Sequence, residues 1–127
     1  FVDRFNRAQS ARDARRILKA AVGGGSVAFF PEGTFTATRG LARFHSGAFV
    51  TAARAGMPVI PVVIRGAREA LPSGARLPRR RALEVEVLEP IVAPLPNEPD
   101  PVGRMKLEAR ARILERLGEP DLEIGDR

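Results

Sequence analysis

Met57-Pro58-Val59-Ile60-Pro61-Val62-Val63-Ile64 is the stretch on which the fold turns. Its β-branched residues fit a pleated backbone, and no polar residue alternates with them. Both faces of the predicted strand from Val59 to Ile64 therefore ask for burial, the pattern of a parallel sheet. Working toward the amino end, Gly47 to Ala55 is small and apolar and predicts a helix, stopped by Gly56 with Pro58 just beyond. Ser26 to Phe30, bounded by Pro31 and Gly33, predicts a second buried strand. Before it, Gly23, Gly24 and Gly25 end a helix predicted over 11–22. Ser10 and Asp13 there have capping-box spacing, and Ala14, Ile17, Leu18 and Ala21 recur with helical period.

Toward the carboxyl end, residues 65–81 hold six Arg against one Glu, with Pro72, Gly74 and Pro78, and predict a basic irregular connection. Leu83, Val85 and Val87 alternate with Glu84 and Glu86, so 82–88 predicts a strand with one wet face near a sheet edge. A proline-rich link over 90–101 leads to a last helix. Asp100 caps it, Pro101 takes its first position, and Val102, Met105, Ala109, Ile113 and Leu117 form one face up to Gly118. Strand and helix alternate, so the predicted class is α/β, a mostly parallel sheet flanked by helices, in a single domain over 1–127.

At 127 residues and 44% hydrophobic composition the chain can build one core. No apolar window reaches the roughly 18 residues of a membrane-spanning helix. With no Cys there is no disulfide, thiolate metal site or thiol nucleophile, and the one histidine, His45, limits acid–base schemes. No ligand spacing for a metal and no dinucleotide glycine pattern occurs. The basic excess lies in residues 1–63, with 9 Lys and Arg against 3 Asp and Glu, whereas residues 64–127 hold 12 of each. That half attracts anions. A nucleic-acid partner is not expected, because there is no Tyr or Trp for stacking and no reading motif.

Phe29-Phe30-Pro31-Glu32-Gly33-Thr34 ends the predicted strand with a carboxylate, a glycine and a hydroxyl. In open α/β sheets ligands gather at the carboxyl ends of strands. Glu32 and Thr34 offer an acceptor and a donor to a polyol phosphate, and Gly33 lets a substrate approach the backbone. An equally balanced alternative is a tight turn in which Glu32 caps nearby backbone amides.

Phe30-Pro31-Glu32-Gly33-Thr34 resembles the FPEGT block of the phospholipid and glycerol acyltransferases, the PlsC-like family. Phe1-Val2-Asp3-Arg4 resembles the end of its G-x-[IV]-F-[IV]-[DK]-R block, Phe44-His45-Ser46-Gly47-Ala48-Phe49 its F-K-x-G-A-F segment, and Met57-Pro58-Val59-Ile60-Pro61-Val62 its [VI]-P-[IV]-[IV]-P-V block. The resemblance covers residues 1–64.

This resemblance implies transfer of a fatty acyl group from acyl-CoA or acyl carrier protein to a lysophospholipid such as 1-acylglycerol 3-phosphate, with no cofactor. It implies Arg4 on the acceptor phosphate, Glu32, Gly33 and Thr34 shaping the acceptor pocket, and a membrane-associated setting on the cytoplasmic face of a bacterial cell. The family's general base is a His-x-x-x-x-Asp pair that precedes the Phe1–Arg4 block. The chain is therefore expected to be the carboxyl-terminal portion of an acyltransferase domain, with no catalytic residue of its own. His45 is followed five positions later by Val50 and is read as a loop residue. Phe35 stands where the family usually has Arg and His45 where it often has Lys, so Arg39 and Arg43 are candidate substitutes on a phosphate. A non-catalytic lipid-phosphate or anion-binding module remains the alternative.

Overall fold

The computed structural model describes residues 7–34, 37–72 and 74–123. A proline at the first helical position loses no hydrogen bond, and Asp100 before it accepts from the Gly103 amide at 2.9 Å. These two residues start the long helix at Pro101–Leu117, which Gly118 ends in a left-handed conformation. A shorter helix at Gly47–Ala55 ends the same way at Gly56, as its sequence predicts. The amino-terminal helix runs Arg7–Val22, so it begins before Ser10, and the capping-box start expected there is not the helix start. In chain order the elements are α1 (Arg7–Val22), α2 (Gly47–Ala55), β1 (Val62–Arg65), α3 (Ala67–Ala70), β2 (Glu84–Val87) and α4 (Pro101–Leu117). The single turn α3 falls within the connection expected to be irregular.

The core lies between α2, α4 and the segment that precedes α2. Phe44, Phe49, Ile91 and Met105 are at most 2% exposed and pack with Leu41, Ala52 and Ala109. Each large side chain buried this way contributes about 1.5–3 kcal/mol. Phe44 and Phe49 stack with ring centroids 6.3 Å apart. Val102, Ile113 and Leu117 complete the predicted face of α4 against this cluster.

The sheet departs from expectation. β1 and β2 pair antiparallel, Val62 opposite Val87 and Arg65 opposite Glu84, and no parallel ladder joins strands among the described residues. Val59 pairs with Ile91 only through an isolated bridge, also antiparallel. Arg65 explains the register. Its guanidinium donates to Glu84 and Glu86 on β2, both at 2.6 Å, and to the Arg116 carbonyl at the end of α4. This cross-strand fork holds only when the Glu84 face of β2 lies with the Arg65 face of β1. Val63 on that face is buried at 1%, while Val62 and Ile64 on the other are 42% and 44% exposed. The strand expected to be buried on both faces is buried on one. β2 is the strand predicted at 82–88, yet its Val85 and Val87 are the open side. Ser26–Phe30 is exposed, with no ladder partner among the described residues. Its apolar run meets no neighbouring strand there to complete a sheet, so the predicted second strand does not form.

Candidate functional site

Pro31 fixes its own φ and suits the second position of a reverse turn, and glycine suits the fourth. Phe30-Pro31-Glu32-Gly33 folds accordingly, with the Gly33 amide donating to the Phe30 carbonyl at 3.0 Å and Gly33 at φ +70°. The turn reverses the chain and presents Glu32 half-buried. Two bonds tie it to the segment before α2. The Ala42 amide donates to Glu32 Oε2 at 2.9 Å, and the His45 amide donates to the Pro31 carbonyl at 2.8 Å. Glu32 thus caps a backbone amide, as the structural alternative anticipated, with one of its two oxygens.

That turn forms part of the wall of a groove of about 900 Å³. The volume falls in the roughly 300–1,000 Å³ range of ligand clefts. Glu32 and Thr34 line the groove together with Phe29, Phe30, Ile60 and Val62. The lining is mostly apolar, with Glu32 and Thr34 among its few polar groups.

The structure therefore brings Glu32, Gly33 and Thr34 together at one turn. Arg39 and Arg43 extend from the same connection with side chains 72% and 79% exposed. Both face carboxylates of the carboxyl-terminal tail, Arg39 Nε at 3.4 Å from Glu119 and Arg43 Nε at 3.9 Å from Glu123. The arginine side of each pair is exposed, and ion pairs of this length on solvated arginines contribute little. His45 has an exposed side chain and takes part through its backbone. Arg4 and Phe35 lie outside the described residues. No metal-ligating cluster occurs among the described residues.

Sequence reasoning missed the strap beneath this turn. The tail crosses back over the loop: the Leu41 amide donates to the Pro120 carbonyl, and the Leu122 amide to the Leu41 carbonyl. Arg68 adds a bond to the Gly40 carbonyl and an ion pair with Glu119 at 2.5 Å. The available signals were Arg110 directly beside Ala109 on the apolar face of α4 and the acidic tail after Gly118.

A family profile described as Acyltransferase matches residues 1–65, about half of the chain. The chain belongs to the acyltransferase family. Among curated relatives of the chain, the 1-acyl-sn-glycerol-3-phosphate acyltransferase of Salmonella typhimurium is 32% identical over 130 residues, covering 99% of the chain and 51% of the relative. The Haemophilus influenzae enzyme of the same name is 45% identical over 67 residues, covering 50% of the chain and 27% of the relative. A chloroplastic namesake from Brassica napus is 39% identical over 61 residues, covering 48% and 18%. The chain spans at most about half the length of these relatives. No solved structure matches it.

Proposed function

We propose that this acyltransferase chain is the substrate-holding part of an enzyme that moves a fatty acyl group from acyl-CoA or acyl carrier protein to the free hydroxyl of 1-acylglycerol 3-phosphate. The observation that carries the reading is the Glu32 turn on the wall of an apolar groove, in the block that resembles the family's acceptor site. The names of the relatives support the acceptor. In the reaction the acceptor oxygen bonds to the thioester carbonyl carbon, the C–S bond breaks, and the hydroxyl proton passes through a base to the departing thiol. The family resemblance assigns that base to a His-x-x-x-x-Asp pair, which in the family precedes the block that Phe1–Arg4 resembles, and such assistance is worth about 10² to 10⁴ in rate. No bound cofactor or metal enters the scheme.

The residues of this chain bind and orient. Glu32 Oε2 is engaged by Ala42, and Oε1 is assigned to the glycerol hydroxyl. Gly33 admits the glycerol backbone, Thr34 donates from the same turn, and Arg4 is assigned to the phosphate, where a guanidinium holds two oxygens at once. Arg39 and Arg43 are further phosphate contacts once their loose tail pairs open. The apolar trough takes hydrocarbon. Contact with the bilayer that holds the acceptor is assigned to Arg76, Arg79, Arg80 and Arg81, all exposed beside Leu77 at 78% exposure.

The test is thiol release from acyl-CoA and from acyl carrier protein by the full-length gene product, with and without 1-acylglycerol 3-phosphate. Acceptor-dependent release with a diacyl product is expected. Binding of the lipid phosphate without thioester cleavage by either donor overturns the reading in favour of a binding module.

A further inference from the structure

Glu32 is held by a residue far away in sequence. Arg110 sits on α4 and is 7% exposed, so its charge is removed from water and must be satisfied by partners. Nη1 donates to the Ala42 carbonyl at 2.7 Å and Nη2 to the Leu41 carbonyl at 3.1 Å. On the other side the guanidinium pairs with Asp121, and with Glu123 at 3.0 Å. Its Cζ lies 5.2 Å from the centroid of the Phe44 ring, within cation–π range. Three groups therefore form one chain. Arg110 grips the carbonyl of Ala42, and the amide of the same residue donates to Glu32 Oε2.

A carboxylate acts on a substrate only from the geometry in which it is held, and a misplacement of an ångström is enough to lose activity. The bonds on Glu32 and on the adjacent Pro31 carbonyl come from the 42–45 segment, and the start of that segment is fixed by the guanidinium fork. An ammonium cannot reproduce the fork: it is a point charge and does not hold two carbonyls and two carboxylates in one plane.

We propose that Arg110 is a positioning residue for Glu32, acting through Ala42 and setting the acceptor end of the groove from α4. The proposal rests on the assignment of Glu32 to the acceptor. Its test is a double-mutant cycle in the full-length protein with Arg110→Lys and Glu32→Gln, reading kcat/KM separately for acceptor and donor. Alone, Arg110→Lys is expected to lower kcat/KM for the acceptor about tenfold and leave the donor KM unchanged; in the Glu32→Gln background its effect is expected to shrink below about twofold. A structural role alone predicts the same loss in both backgrounds, and that additive result overturns the proposal.

Amide exchange gives a second readout that needs no turnover. In Arg110→Lys, Ala42 should lose protection while the amides of α2 and α4 keep theirs. Retained protection at Ala42 overturns the link even if the enzyme acts on another acceptor. An inactive wild-type protein with the exchange result intact contradicts the proposed function and not the link. Should Arg110→Lys fail to fold, Asp121→Asn loosens the same guanidinium from the tail side and carries the same cycle.

Discussion

Arg65 joins three elements with one side chain, and the Glu86 carboxylate reports the consequence. Its hydrogen bond is the largest cause holding the Glu86 carboxyl below the ordinary carboxylate range, and Arg104 does the same for Glu98. A carboxyl lowered in the folded state stabilises fully above the unfolded value near ~4.3 and loses that contribution as pH falls through the folded value. Arg65→Gln should therefore be less stable than the parent at neutral pH, with the gap closing in acid. Urea unfolding at several pH values checks it, and a gap that widens on acidification contradicts the assignment. At Gly40 the requirement is steric. Its φ is +139°, and an added Cβ would meet Leu122 Cγ at 2.6 Å and the Pro120 carbonyl at 2.8 Å. Gly40→Ala should cost about 1–3 kcal/mol in urea unfolding by pushing the tail off the loop.

At the level of elements the two faces of the β1–β2 pair give opposite forecasts. Val63→Ala empties a buried position and should cost about 1–3 kcal/mol, whereas Val85→Thr on the open face of β2 should stay within about 0.5 kcal/mol. Equal costs would contradict burial of one face of the strand pair only. The helices were the most legible elements: α4 carries its start and stop residues in the sequence and α2 its stop, and the buried face of α4 follows its period. The sheet was less so. The run Val59–Ile64 shows which residues are apolar, but whether one face or two are covered depends on partners remote in sequence. Ser26–Phe30 has the composition of a buried strand and meets no partner strand among the described residues. The Glu32 turn was readable because Pro and Gly impose it locally. Arg110 was not, since burial of an arginine is decided by carbonyls and carboxylates that the fold brings together from residues 41, 42, 121 and 123.

Across the whole molecule, apolar and basic surfaces are both left open. No helix among the described residues is long and apolar enough to cross a membrane. Attachment to anionic headgroups is instead forecast for the Arg76–Arg81 stretch, at about 1 kcal/mol per near-surface charge. Replacing Arg79, Arg80 and Arg81 by Gln should weaken sedimentation with anionic vesicles at least tenfold and leave binding to neutral vesicles unchanged. Equal binding by parent and variant would remove the stretch from the account. The groove, the turn and the strap beneath it converge on one carboxylate. The most direct measurement is kcat/KM for 1-acylglycerol 3-phosphate in the full-length protein, comparing the parent with Glu32→Gln and Arg4→Ala. Losses of about tenfold or more in each variant, at unchanged Tm, are predicted. Unchanged turnover in both would contradict the assignment of this turn as the acceptor site.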